Sequence, residues 1–225
     1  MSLTHEPMPI AVLASGRGSN LKALIAARDA GTLPVRFALV ASDRATAPAL
    51  RLAESHGIPT LALNPKSYAD RRAFDLDLFR RLADSGAKAL VLAGFMRIID
   101  GQALAPWHGR MLNVHPSLLP KYRGLRTHQR ALDAGDREHG ASVHFVTAEL
   151  DGGPVIAQAR IAVHEGDSAD DLAARLLPRE HRLLPAVTAL LASGRLGLNE
   201  AGVTLDGVPL AAPLQLDNGG ELIAA

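Results

Sequence analysis

Residues 109–120 read Gly-Arg-Met-Leu-Asn-Val-His-Pro-Ser-Leu-Leu-Pro. The apolar run from Met111 to Val114 predicts a short buried strand, and the proline after the histidine ends it because proline has no N–H for a strand ladder. Side chains two apart in a strand point the same way, so Asn113 and His115 share one face. The pattern therefore predicts an amide and an imidazole side by side at the carboxyl end of a strand, where open α/β sheets bind ligands. A hydrogen-bonded structural pair is the alternative interpretation.

Upstream, an apolar run at residues 10–14 leads into Ser15-Gly-Arg-Gly-Ser-Asn20 and then into apolar residues at helical spacing over 21–30. This order predicts a strand, a glycine turn and a helix capped by Ser19 or Asn20. Backbone N–H groups and the positive end of a helix favour an anion there, so the hypotheses are a phosphate site and an ordinary βα turn. The spacing is not G-x-G-x-x-G and a P-loop lysine is missing, so neither a dinucleotide nor ATP is indicated.

The rest of the chain alternates between strand and helix patterns. We predict strands at 35–40, 60–63 and 89–93, and helices at 45–55 and 68–83. Downstream we predict a helix at 127–134 and two strands (142–146 and 154–163) joined by an Asp-Gly turn. A last helix runs from Ser168 to about 192, interrupted or bent near Pro178 and Pro185, and a small hairpin follows over 196–213. This order predicts an α/β fold with a doubly wound, mostly parallel Rossmann-like sheet and an antiparallel C-terminal extension.

Composition limits the classes of function. The net charge of +1 over 225 residues gives no electrostatic case for nucleic acid or an anionic membrane. The chain has no cysteine, which excludes disulfides, thiolate nucleophiles and Cys-ligated metals. The nine histidines do not form H-x-x-x-H on a helix, so no metal is expected, and no G-x-S-x-G motif indicates acyl-serine chemistry. Residues 1–9 lack a signal-peptide pattern and no apolar run spans a membrane, so we expect a soluble, cytoplasmic protein.

Several motifs occur together in one order: Gly18-Ser-Asn20, Ala93-Gly-Phe-Met-Arg97, Asn113-Val-His-Pro-Ser-Leu-Leu-Pro-Lys-Tyr122, His144-Phe-Val146, Asp151-Gly-Gly-Pro-Val155 and Glu180-His181. Over residues 10–209 they resemble the phosphoribosylglycinamide formyltransferases, folate-dependent enzymes of purine synthesis. The resemblance implies transfer of the formyl group of 10-formyltetrahydrofolate, a co-substrate, to the amine of glycinamide ribonucleotide. It also implies a single formyltransferase domain over 1–225, with a nucleotide-binding half at about 10–110 and a folate and catalytic half at about 111–225. Its oligomeric state is expected to be monomer or homodimer.

The resemblance also implies roles for individual residues. The catalytic trio would be Asn113, His115 and Asp151. The ribonucleotide would be bound by Gly18, Ser19, Asn20 and Glu180. The folate would be bound by Arg71, Met96, Arg97, Ile98, Ile99, Asn113, Thr147, Ala148, Glu149, Leu150 and Asp151.

The chemistry agrees with these roles. Attack of an amine on a formyl carbon puts negative charge on the formyl oxygen, which the amide of Asn113 and an imidazolium at His115 could stabilise. Asp151 could keep His115 protonated and move the amine proton to the leaving folate nitrogen, directly or through a water. An Asp-Gly pair is also favoured at turns for backbone reasons alone, which is the structural alternative for Asp151.

The chain departs from the family pattern at three positions. Arg123 stands where proline or lysine is usual, and Arg-Gly at this point resembles the sequence of methionyl-tRNA formyltransferase. Leu177 replaces a polar residue that commonly helps to bind substrate, and Ile99 replaces leucine.

Three rival functions are considered. Methionyl-tRNA formyltransferase is expected to have a basic C-terminal RNA-binding domain, rather than the acidic, apolar residues 214–225. Formyltetrahydrofolate hydrolase is expected to have an N-terminal regulatory domain, and the third rival is a non-catalytic nucleotide- or folate-binding protein.

Overall fold

The computed structural model describes residues 6–224. The strands are β1 (Met8–Leu13), β2 (Val35–Ser42), β3 (Thr60–Ala62), β4 (Ala89–Leu92), β5 (Met111–His115), β6 (Glu138–Phe145), β7 (Val155–Ala162), β8 (Leu196–Asn199), β9 (Gly202–Leu205), β10 (Val208–Pro209), β11 (Leu214–Leu216) and β12 (Leu222–Ile223). The α-helices are α1 (Ser19–Asp29), α2 (Pro48–Ser55), α3 (Arg71–Asp84), α4 (Gly101–Leu104), α5 (Thr127–Asp133) and α6 (Ala169–Ala192).

Nine strands form one sheet in the order β12-β11-β7-β6-β5-β4-β1-β2-β3. Strands β1 to β5 are parallel to one another, whereas β6 runs antiparallel to both β5 and β7. Strands β8 to β10 form a separate antiparallel sheet near the C-terminus. The predicted Rossmann-like α/β fold with an antiparallel extension is confirmed.

The sheet is covered on both faces, as the alternation of side chains in β1 shows. Ile10 and Val12 belong to a core that includes residues of α1, α2 and α6. Ala11 and Leu13 belong to the opposite core, with residues of α3 and α4. A strand that is buried on both faces has a continuous apolar sequence, so polar side chains occur at the ends of the strands.

Two local predictions differ from the structure. Helix α1 begins at Ser19 with Gly18 as its N-cap, so neither Ser19 nor Asn20 caps it. The C-terminal hairpin has a third strand. Strands β6 and β7 pair as the predicted hairpin, and residues 146–154, which include the predicted turn, connect them. Ser168 caps helix α6 as predicted, and the helix is not interrupted at Pro178 or Pro185; a bend at either proline stays a prediction.

None of the helices within residues 6–224 is long and apolar enough to span a membrane. The prediction that residues 1–9 lack a signal-peptide pattern falls mostly outside the described residues, which begin at residue 6. The strand and helix boundaries elsewhere agree with the predictions to within a few residues, which is the usual uncertainty at element ends.

Candidate active site

Three polar side chains meet at the carboxyl end of β5. Asn113 and His115 lie on one face of the strand, as the two-residue spacing predicts, and both reach Asp151. The Nδ1 atom of His115 is 3.4 Å from Oδ2 of Asp151. The Nδ2 atom of Asn113 is 3.5 Å from Oδ1 of the same carboxylate. The structure thus brings together residues that are 36 and 38 positions apart in the chain.

Asp151 reaches this position because the chain turns tightly after β6. Its own φ of 47° is left-handed, a conformation that aspartate tolerates better than most residues. A Cβ on Gly153 would lie 1.8 Å from the carbonyl oxygen of Phe145, so only glycine fits against the strand there. Burial would raise the pKa of Asp151, but His144, the N–H of Gly124 and His115 outweigh it and hold that pKa below its usual value. Asp151 is therefore a carboxylate at neutral pH.

His115 is buried, and both of its ring nitrogens face oxygen atoms. Its Nε2 donates to the carbonyl of Tyr122 at 2.9 Å, and the left-handed φ of 56° at Tyr122 belongs to the turn that brings this carbonyl to the ring. Burial lowers the pKa of His115, although the Tyr122 carbonyl and Asp151 act in the opposite direction. The pKa of His115 is therefore below its usual value in the site as the fold builds it, and the expectation that Asp151 keeps His115 protonated stays a prediction.

His144 is a site residue that the sequence-based assignment did not include. It lies on β6 directly opposite Asn113 on β5. Its Nδ1 donates to the carbonyl of Phe145 at 2.8 Å, so a ring that carries a single proton would have Nε2 as its acceptor. The Nδ2 group of Asn113 lies 3.1 Å from that Nε2 atom. The alternating pattern of 142–146 indicated a strand, but only the pairing register shows which residue faces Asn113.

The segment after His115 is held by a buried polar network on β6 and β7. The hydroxyl of Ser142 donates to the carbonyl of Ser117 at 2.7 Å and accepts from the N–H of Leu119 at 3.0 Å. The amide of Gln158 donates to the carbonyl of Leu119 at 3.0 Å. These bonds fix the loop that carries the Tyr122 carbonyl to His115.

The glycine turn forms the start of α1. A Cβ on Gly18, whose φ is 81°, would lie 2.9 Å from the Cβ of Ala49, so glycine is required on two counts. The first-turn N–H groups of α1 lack intrahelical acceptors, and no side chain caps them. A groove of about 1050 Å³ begins at Ser19 and also carries Lys22 and His181. N–H donors together with the ammonium group of Lys22 make this turn, residues 15–20, suitable for an anion.

Glu180 lies beside the glycine turn, as the family resemblance implies. The Nδ2 atom of Asn20 donates to its Oε2 at 3.3 Å, and both side chains are partly or wholly buried. The Oδ1 atom of Asn20 has no hydrogen-bond partner among residues 6–224. Burial raises the pKa of Glu180, while the Asn20 amide lowers it. Leu177 supplies no polar group, so its effect on substrate binding stays a prediction.

A second cleft, here called the β5 cleft, opens beside Asn113. Four apolar residues that were not among the assigned ones line this cleft: Leu92, Phe95, Leu104 and Val146. The assigned folate residues that line it are Arg97, Ile98, Ile99, Asn113, Thr147, Ala148, Glu149, Leu150 and Asp151, together with His144. Apolar walls with convergent polar groups, here including Arg97, Asn113 and Asp151, are typical of a small-molecule site.

Two assigned folate residues do not line this cleft. Arg71 is exposed at the start of α3, and the side chain of Met96 is 67% exposed. Arg97 stacks over the ring of Phe74, with its guanidinium carbon 4.8 Å from the ring centroid. Arg123, one of the departures from the family pattern, pairs with Glu149 of the cleft wall. Among residues 6–224, no three His, Asp or Glu side chains are arranged to hold a metal ion.

Comparison with known proteins decides the family. Residues 8–188 match the family model described as formyl transferase. The chain is 47% identical over 200 residues to phosphoribosylglycinamide formyltransferase from Escherichia coli K12, an alignment that covers 89% of this chain and 94% of that protein. This chain belongs to the formyl transferase family.

Further relatives agree with the assignment of this chain to the formyl transferase family. The solved structure of phosphoribosylglycinamide formyltransferase from Coxiella burnetii, in complex with CHES, is 45% identical with a TM-score of 0.88, covering 92% of this chain and 97% of that one. The trifunctional purine biosynthetic protein adenosine-3 of Gallus gallus is 42% identical over 86% of this chain, which spans 19% of that longer protein. The predicted resemblance to the phosphoribosylglycinamide formyltransferases, and the prediction of a formyl-transferring enzyme, are confirmed.

Proposed function

We propose that this chain transfers the formyl group of 10-formyltetrahydrofolate to the amine of N1-(5-phosphoribosyl)glycinamide, giving the N-formyl product in de novo purine (IMP) biosynthesis. One observation carries the proposal: polar atoms of Asn113 and His115 each lie within 3.5 Å of the Asp151 carboxylate, beside the β5 cleft. The glycine turn follows β1, which is parallel and one strand removed from β5. A phosphate at that turn and a pterin in the cleft would bring amine and formyl group to the trio.

In the proposed reaction the amine attacks the formyl carbon and the carbonyl oxygen gains negative charge. One N–H of Asn113 is directed at His144, and the other faces Oδ1 of Asp151 at 3.5 Å, a long contact that the developing oxyanion would replace. An oriented donor of this kind is worth about 3 kcal/mol, or roughly 10²–10³ in rate, in enzymes where one was removed.

Because burial lowers its pKa, His115 starts the proposed reaction as a neutral imidazole, and the roles of its two ring nitrogens determine which atom takes the proton. Since Nε2 donates to Tyr122, the lone pair lies at Nδ1 and can take the proton that the attacking amine releases. Asp151 then stabilises the imidazolium, which can share its Nδ1–H with the oxyanion. The pair returns the proton to the folate nitrogen as the carbon–nitrogen bond of the donor breaks. One proton passes from the amine to the leaving nitrogen, so the step is balanced.

The test compares acceptors and variants. Formyl transfer from 10-formyltetrahydrofolate is measured with glycinamide ribonucleotide, with charged initiator tRNA and with water alone, and we expect turnover with the ribonucleotide. Asp151→Asn and His115→Ala should each lose about 10²–10⁴ in turnover, the usual contribution of general acid–base groups, while both substrates still bind. Near wild-type turnover in either variant would contradict the assigned roles, and transfer only to tRNA or water would contradict the substrate.

A further inference from the structure

Ser15 connects three strand ends through its backbone and its hydroxyl group. It follows β1 and is 4% exposed. Its N–H donates to the carbonyl of Gly94 at 3.1 Å, beyond the end of β4. Its hydroxyl donates to Oδ1 of Asp43 at 2.6 Å, beyond the end of β2, and accepts from the N–H of Met96 at 3.3 Å. One residue therefore joins the glycine turn, which it begins, to the loop of residues 94–99.

The direction of the hydroxyl bond is set by Asp43. A serine hydroxyl has one proton and two lone pairs, and a carboxylate can only accept. The Ser15 proton therefore points at Asp43, and a lone pair is free to receive the N–H of Met96. Loss of the carboxylate would leave that proton free to rotate and compete with the Met96 bond.

The 94–99 loop is held by the buried side chains of Phe95 and Ile99, and between these two residues it depends on such backbone contacts. Met96 and Ile98 are 67% and 52% exposed, and Gly94 leaves the strand with a left-handed φ of 82°. At the far end, the carboxylate of Asp75 accepts the N–H of Asp100 at 2.8 Å. Ser15 is the contact at the near end, next to the residues that line the β5 cleft.

We propose that Ser15 is a positioning residue that holds the folate-binding 94–99 loop at a fixed place relative to the ribonucleotide-binding glycine turn. This inference rests on the proposed function for the identity of the two substrates. Group transfer requires the reacting atoms to be held about 3–3.5 Å apart, so a shared anchor for the two loops bears directly on the approach of donor and acceptor.

The experiment uses four variants of the full chain. Ser15→Ala removes the hydroxyl, Asp43→Ala removes its acceptor, and Asp43→Asn keeps an acceptor oxygen. Ser42→Ala is the matched control, because Ser42 is also buried at the end of β2 but its hydroxyl bonds the N–H of Arg44 and neither substrate loop. For each we measure kcat, the KM for both substrates, and the Kd of tetrahydrofolate by calorimetry.

We expect Ser15→Ala and Asp43→Ala to raise the KM for 10-formyltetrahydrofolate and the Kd of tetrahydrofolate about fivefold, the effect of one hydrogen bond. Asp43→Asn and Ser42→Ala should stay within about twofold of wild type. Unchanged folate binding in Ser15→Ala, or an equal rise in Ser42→Ala, would overturn the proposal.

The two proposals fail in different ways. If the wild-type chain does not formylate the ribonucleotide, the proposed function fails, and the tetrahydrofolate titrations still decide whether Ser15 positions the loop. If the wild type is active and Ser15→Ala binds folate normally, only the role of Ser15 fails.

Discussion

Replacement of His144 tests how the site orients Asn113. The Phe145 carbonyl takes the Nδ1–H of His144, so a singly protonated ring accepts at Nε2, and the Asn113 amide presents its nitrogen to that atom. His144→Asn keeps a donor near the Phe145 carbonyl but is too short to provide the acceptor. His144→Gln can place its carbonyl oxygen where Nε2 lies. The pair of variants therefore separates the acceptor from the donor.

The magnitude follows from the bonds involved. Loss of the 3.1 Å bond releases the amide, which costs about 1 kcal/mol for one net hydrogen bond and so about fivefold in rate. Complete loss of the Asn113 donor would cost about 10²–10³, which is the upper limit. We expect His144→Asn to lower kcat by about 5- to 30-fold with little change in either KM, and His144→Gln to recover most of it.

The assay is a double-mutant cycle with Asn113→Ala. If His144 acts by orienting Asn113, His144→Asn should lower kcat by less than about twofold once the amide is gone. Thermal unfolding of each variant controls for loss of the Phe145 bond. An undiminished effect of His144→Asn in the Asn113→Ala background would refute the reasoning. It would point instead to Asp151, whose Oδ1 lies 3.7 Å from Nε2 of His144.

Two further predictions concern the glycine turn and a buried histidine pair. Gly18→Ala places a Cβ 2.9 Å from Ala49 and should raise the KM for the ribonucleotide more than that for folate; Gly31→Ala, with a similar φ of 74° and an open Cβ position, is the control that should leave both KM values unchanged. Burial, with neighbouring His128, lowers the pKa of His139 to about 4 in the folded chain, from 6.5. Between these two pH values His139 takes up a proton in the unfolded chain but not in the folded chain. Stability should therefore fall by about 2 kcal/mol between pH 7 and pH 5 in urea unfolding, and His139→Gln should flatten that slope; an unchanged slope would contradict a neutral buried His139.

Much of the fold followed from local patterns. The apolar run of β5 and the two-residue period placed Asn113 and His115 on one face, because side-chain alternation is a property of any strand. Ser168 was recognised as a helix cap because its contact with Asp171 is three residues away. The alternation of strands and helices limited the topology to a parallel sheet, since crossovers are short and right-handed.

The N-cap of α1 shows where local reasoning was insufficient. Ser19 and Asn20 are good capping residues, yet Gly18 takes the position because its left-handed backbone fits against Ala49 of α2. Asn20 is drawn instead to Glu180, 160 residues away. Packing of the turn against α2 and α6 therefore determines which residue caps α1.

By itself the sequence determined the chemistry available to the chain: which side chains occur, which pairs share a strand face and where glycine permits a turn. The tertiary structure alone decided that His144 faces Asn113, that burial lowers the pKa of His115, and that Ser15 joins two loops. The physical reason is that strand register and burial depend on the packing of the whole sheet, whereas period, capping and turn chemistry depend on neighbours within a few residues.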